Sequence, residues 1–172
     1  MKRILSALLS LLLMAMFYVY AVLQKDSEPQ ANMRWLVQEE ERFIEPIGEI
    51  KSADAQTLAN AFGVSMPAPS NILSGLCFDA KYKGQKAHML QIAGEKITIQ
   101  GVTPNFAAPL IRSDSIKFSE SKSALLGYPL FKADGTEYNE YYVITQDAAF
   151  HFKLEDEDIS PLQNLRLVHP EN

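Results

Sequence analysis

The stretch "LCFDAKYKGQKAHMLQI" alternates apolar and polar residues on either side of Lys83-Gly84, and it limits what this chain can fold into more than any other segment. Side chains on a strand point alternately to opposite faces, so a period of two specifies a half-covered β-strand. A Lys-Gly pair between two such runs specifies a two-residue hairpin turn. Pairing Tyr82 with Gln85 sets Phe78 against Met89 and Ala80 against Ala87 on one face, and Asp79 against His88 on the other. "IAGEKITIQGV" predicts a further turn at Gly94-Glu95, placing Ile92 against Ile97 and Leu90 against Ile99. Pro104 and Pro109 interrupt the alternation, so "TPNFAAPL" reads as a crossing loop. The last third predicts strands over 125–131, 141–146 and 150–154, with a turn at Ala133-Asp134-Gly135.

Helical spacing flanks this β pattern. In "NMRWLVQEEERFIEP" Asn32 can cap a helix whose Leu36, Phe43, Ile44 and Ile47 share one face, with Pro46 ending the run. "SADAQTLANAFG" predicts a second helix, capped by Asp54, burying Leu58, Ala61 and Phe62, and stopped by Gly63. Near the end, Ser160 as N-cap and Pro161 at the first helical position predict a short helix whose Leu162, Leu165 and Leu167 dock on the sheet. The expectation is an α+β domain, an antiparallel sheet of roughly five or six strands packed by two N-terminal helices and one C-terminal helix.

Ahead of this domain, residues 4–23 form a run of twenty uncharged, mostly apolar residues behind Lys2 and Arg3. At about 1.5 Å per residue such a run spans the roughly 30 Å hydrocarbon core. The basic residues in front predict an N-terminus inside and a domain outside, with Phe17, Tyr18 and Tyr20 near the outer interface. The expected organisation is a cytoplasmic stub (1–3), a transmembrane signal-anchor helix (4–23), a linker containing "KDSEPQA" (24–31) and an extracytoplasmic α+β domain (32–172), in a bacterial cytoplasmic membrane. The alternative is a signal peptide cleaved near Ala21 after Val19-Tyr20, leaving a secreted or periplasmic chain. The single Cys77 allows no internal disulfide, which favours a bacterial exported domain held by packing. A net charge of −5, with no basic stripe, argues against a nucleic-acid partner.

A Gly-led strand, an acidic loop, an aromatic strand, the strand "AAFHFKLE" and the closing "SPLQNLRLV" together resemble the extracytoplasmic β-rich domains of single-pass bacterial regulatory proteins, anti-sigma-factor-associated sensor domains among them. The resemblance covers roughly residues 75–168, rests on the order of elements and brings no functional residue with it. It implies a sensing or binding role. The chain departs from an anti-sigma factor at its front, where residues 1–3 leave no room for a sigma-binding domain.

Candidate chemistry is sparse. Cys77, His88 and Asp79 are the nearest approach to a nucleophile, base and orienter, although Cys77 would oppose Leu90 with no thiolate-activating group nearby. The acidic run Glu155, Asp156, Glu157, Asp158 lacks the alternation and glycine of a calcium loop, and Asp134, Gly135 and Glu137 read first as a turn. His88, His151 and His169 have no metal-ligand spacing, and no phosphate-cradling loop or G-x-S-x-G elbow occurs. The expectation is therefore no catalytic residue, no metal and no cofactor. Tyr138, Tyr141, Tyr142, Phe150 and Phe152 form the densest aromatic cluster, which either packs in the core or supplies a partner-binding face. Together these observations predict a membrane-anchored, non-enzymatic binding, sensor or assembly-accessory protein with an envelope protein partner. The alternatives are a carrier of a small lipid-like ligand and a thiol hydrolase using Cys77, His88 and Asp79.

Overall fold

The computed structural model describes residues 47–112, 116–134, 136 and 139–171. All belong to one compact unit, Ala31–Asn172. The chain runs β1 (Ile47–Lys51), α1 (Ala55–Phe62), β2 (Met66–Ala68), β3 (Ser74–Tyr82), β4 (Gln85–Ala93), β5 (Ile97–Thr103), a 3₁₀ helix (Asn105–Leu110), β6 (Lys117–Leu125), β7 (Tyr128–Asp134), β8 (Asn139–Ile144), β9 (Ala149–Leu154), α2 (Ser160–Gln163) and β10 (Arg166–Val168). Eight strands form one antiparallel sheet in the order β1-β3-β4-β5-β9-β8-β7-β6, and β10 pairs with β2 in a separate ladder.

The β3–β4 hairpin has the register its alternation dictates, with Tyr82 paired to Gln85, Phe78 to Met89 and Asp79 to His88. Its two loop residues both take positive φ, 50° at Lys83 and 80° at Gly84, the twist that suits a two-residue hairpin. The next turn is displaced from the expected one. Ile92 pairs with Ile99 and Leu90 with Gly101, because Gly94 closes on Ile97 and leaves Glu95-Lys96 at the tip. Moving a turn by one residue shifts each partner by two, so the same side chains still face the core.

α1 forms where expected. The Asp54 carboxylate accepts from the Thr57 N–H at 2.7 Å, and Gly63, at φ 80°, ends the helix by donating to the Ala59 carbonyl. Its buried side, Leu58, Ala59 and Phe62, lies on the first face of the sheet with Cys77, Leu90, Ile92, Ile99, Phe150 and Phe152. Gly75 makes room for it, since a Cβ there would stand 2.6 Å from the Ser52 carbonyl oxygen and collide with Leu58. The second face carries Leu76, Phe78, Ala87, Met89, Val102 and Tyr142 under Ala107 and Leu110 of the 3₁₀ helix. Asn105 holds that helix in place by donating to the carbonyls of Thr145 and Gln146, at 3.2 and 2.8 Å.

Two expectations are corrected. The fold is sheet-rich rather than α+β with three packing helices, because α1 is the single helix of eight residues among the described residues and α2 is one turn. The first predicted helix lies outside the described residues except for Ile47, which begins a strand. At the C-terminal end, Leu162 and Leu165 are buried as expected, whereas Leu167 belongs to β10 and is 41% exposed. The membrane attachment is corrected as well. No helix among the described residues is long and apolar enough to cross a membrane, so neither the transmembrane anchor, the single-pass localisation nor a partner reached through it has support in the structure. Residues 4–23, which carried those inferences, lie outside the described residues.

Candidate functional site

The sheet's first face opens at one end into a cleft of about 210 Å³. Its floor is Val143, Phe150 and Phe152, consecutive first-face positions on β8 and β9. These three are almost wholly buried, Phe152 completely, and they border the cleft. The β2–β10 ladder, the β6–β7 hairpin and the β8–β9 turn supply the rest of its lining.

Local chemistry explains each wall. In the ladder Met66 pairs with Val168, which brings the flanking Ser65 and His169 together although they are 104 residues apart. Ser65 Oγ and His169 Nδ1 form a 2.7 Å hydrogen bond. The His169 carbonyl accepts from Gln56 Nε2 at 2.8 Å, and the Glu171 N–H donates to Asn60 Oδ1 at the same distance, so α1 ties down the chain end. At the β8–β9 turn, Thr145 Oγ1 accepts from the Ala148 N–H at 3.0 Å and from the Asp147 N–H at 3.3 Å. That turn therefore presents Asp147 from a fixed frame at the cleft's edge. The hairpin wall turns through Leu126 and Gly127, both at positive φ, 53° and 85°. Leu126, Tyr128 and Leu167 form an apolar lip around the opening, exposed by 37%, 37% and 41%.

The structure divides the aromatic cluster expected to form one face. Tyr141, Phe150 and Phe152 lie in the first-face core and Tyr142 in the second, because neighbouring residues on β8 point in opposite directions. Tyr138 lies outside the described residues. Phe150 and Phe152 thus take part in a site, but as the floor of a cleft, and their partners in it are distant in sequence. The residues to which the sequence reading gives no place in a site are Ser65, Asp147 and Leu126, and His169, which it weighs only as a metal ligand. Only Leu126-Gly127 left a local signal: a Gly in the middle of a predicted strand, which marks the turn between β6 and β7.

The expected Asp79–His88 contact is present, with His88 Nδ1 2.8 Å from Asp79 Oδ1 and Lys86 Nζ 3.0 Å from Asp79 Oδ2. The Lys86 hydrogen bond, more than the His88 charge, holds the Asp79 carboxyl below its ordinary range. Cys77 shares that face but sits in the core, where burial first and the Asp79 charge second push its thiol up to about 11. A thiol so protonated is a poor nucleophile. The acidic run serves local structure. Asp158 Oδ1 accepts from the Ser160 N–H and hydroxyl at 2.9 and 2.6 Å just ahead of α2, whose N-cap is Ile159 rather than the expected Ser160, and Asp156 pairs with Lys96 at 3.2 Å. Among the described residues no group of three or more His, Cys, Asp or Glu side chains is placed to hold a metal ion.

On the second face a polar row crosses the sheet. Gln91, Gln100, His151 and Tyr142 stand side by side on β4, β5, β9 and β8, between Leu76 and Phe131. All four are at least 95% buried. His151 Nε2 lies 3.0 Å from Oε2 of the equally buried Glu140, and Phe118 packs edge-on to the His151 ring at 6.0 Å. Both amide atoms of Gln91, the Gln100 amide nitrogen and the Tyr142 hydroxyl have no hydrogen-bond partner among the described residues.

No family model, curated protein or solved structure matches this chain.

Proposed function

We propose that this domain is a non-catalytic binding module that takes a small amphipathic molecule in the first-face cleft. One observation carries the reading: an apolar floor of Val143, Phe150 and Phe152 lies under an opening whose lip is apolar and whose edge bears the Ser65–His169 pair and Asp147. Small-molecule sites combine such an apolar lining with a few polar groups that fix orientation. The volume sets the ligand's size. An apolar cavity of about 150 Å³ accepts benzene, so about 210 Å³ suits one ring with a substituent or a short acyl chain. The carboxylate of Asp147 at the edge favours a neutral or cationic head group over an anionic one. The thiol-hydrolase alternative is disfavoured by the buried, protonated state of Cys77.

Titrating the protein with phenol, hexanol and hexanoate while recording methyl and amide NMR spectra tests this. The expected result is saturable shifts at Val143 and Leu125 and at the amides of Phe150 and Phe152, with hexanol binding more tightly than hexanoate. No saturable shift with any of the three, or shifts confined to the second face, would refute the reading.

A further inference from the structure

The cleft reading leaves one residue chemically out of place, and this inference rests on that reading. The β6–β7 hairpin turns through two residues, Leu126 and Gly127, both at positive φ. A turn of this type favours Asn, Asp or Gly at its first central position, since positive φ brings an ordinary Cβ against the neighbouring carbonyl. Leucine is disfavoured there for its backbone, and 37% of Leu126 faces solvent.

The β3–β4 hairpin supplies an internal control. Lys83 and Gly84 adopt the same geometry, with φ of 50° and 80°. Lysine bears the same backbone cost, but its charge is solvated and its ammonium stands 5.3 Å from the centre of the Tyr82 ring. The turn geometry is therefore compatible with a polar residue, and nothing in the hairpin itself requires an apolar one. Leu126 differs from Lys83 in that it lines the cleft. Of the eight large hydrophobic side chains exposed among the described residues, three, Leu126, Tyr128 and Leu167, line this one cleft, and the others do not.

We infer that Leu126 is a specificity-determining residue: its side chain, held out by the strained turn, closes over the apolar part of the bound molecule, and the fold gives up stability to keep it there. Conformational strain that persists against local preference is characteristic of ligand clamps. The ligand this lip selects is one whose apolar portion extends past the floor toward the opening, a short alkyl chain in preference to a bare ring. Hexanol should lose more than phenol when the lip is removed.

The experiment compares Leu126→Asn, Leu126→Met and Lys83→Asn with the wild type, reading melting temperature and the affinities for hexanol and phenol for each; an equal loss for both ligands in Leu126→Asn would overturn the selectivity. Both Asn substitutions relieve the same backbone cost and should raise the melting temperature by about 2–4 °C. Leu126→Asn should weaken hexanol binding about tenfold, the loss expected for removing most of one buried leucine contact. Lys83→Asn should leave the affinity unchanged, and Leu126→Met should keep it within about twofold, since methionine preserves the apolar contact. If Leu126→Asn gains stability and binds hexanol as the wild type does, the lip has no role and the cleft reading stands. If Leu126→Asn lowers the melting temperature, Leu126 is a packing residue and the inference fails. Absence of saturable hexanol binding to the wild type overturns the cleft reading and this inference together.

Discussion

On its first face the sheet packs Leu90, Ile92, Ile99, Phe150 and Phe152 against α1 with hardly a polar atom among them. On its second face the same strands β4, β5, β8 and β9 carry Gln91, Gln100, Tyr142 and His151 in a buried row. One set of strands thus builds two interiors held by different physics. The first is stabilised by close contact: Phe62 meets Phe150 with ring centres 6.0 Å apart, and Gly101 has no Cβ because one would stand 2.9 Å from the Phe150 ring. The second contains groups whose stability depends on which polar atoms find partners, as His151 and Glu140 do at 3.0 Å. The cleft lies on the apolar face, whereas the polar face keeps buried amide and hydroxyl atoms of Gln91, Gln100 and Tyr142 without partners among the described residues.

The sharpest way to separate the two interiors is to open a hole in the first. Phe62 has no exposure and sits between α1 and the sheet, so Phe62→Ala removes its contacts and leaves a cavity that the rigid strands cannot refill. The expected cost is about 3–5 kcal/mol, read as a lower midpoint in denaturant unfolding with an unchanged slope. A loss under about 1 kcal/mol would mean that α1 contributes little and that the sheet stands without it.

Alkaline pH probes both faces at once. Burial pushes the Cys77 thiol up to about 11 on the first face and the Tyr142 hydroxyl up to about 12 on the second, from ordinary values of 9.0 and 10.0. Between the ordinary and the raised value the unfolded chain has released a proton that the folded chain still holds, so each group's contribution is complete below its ordinary value and is lost as pH climbs. Stability should fall from pH 9 to 11 through Cys77 and from pH 10 to 12 through Tyr142. A rise of about two units corresponds to a loss of about 2.7 kcal/mol for each group. Cys77→Ala should flatten the lower window and Tyr142→Phe the upper one in chemical denaturation at stepped pH. A slope that survives both substitutions belongs to other groups.

How much of this was legible in the sequence follows from how local each signal is. The β3–β4 register and the Asp79–His88 contact were readable because alternation and a Lys-Gly turn lie within adjacent residues. α1 was readable from its cap, its stripe and its terminal Gly63. β6 was not, because "KFSESKSAL" is a largely exposed edge strand of Lys and Ser with a register irregularity between Glu120 and Ala124, and such a strand shows no apolar alternation. β2 and β10 were missed for a different reason. Each is three residues long, one contains Pro67, and neither is a strand until the chain end returns to pair with it. The cleft inherits that difficulty, since Ser65 meets His169 only through the β2–β10 pairing. The aromatic cluster was visible as composition, but which side each ring faces depended on a parity that residues 141 and 142 resolve in opposite ways.

The smallest expected effect has the opposite sign. Gln91 is 1% exposed, and its two amide atoms lack partners among the described residues, opposite Gln100 with its amide nitrogen in the same condition. Leucine has a similar volume, and Leu76 already occupies the neighbouring position in the row. Gln91→Leu replaces a group that is costly to bury with one that gains from burial, so it should stabilise the fold by about 1 kcal/mol. That gain would set the second face apart from the first, where every reduction of a buried side chain is a loss. If Gln91→Leu instead lowers the unfolding midpoint by a comparable amount, the amide is hydrogen-bonded in solution, and the second face is a connected polar network whose members must be removed together rather than singly.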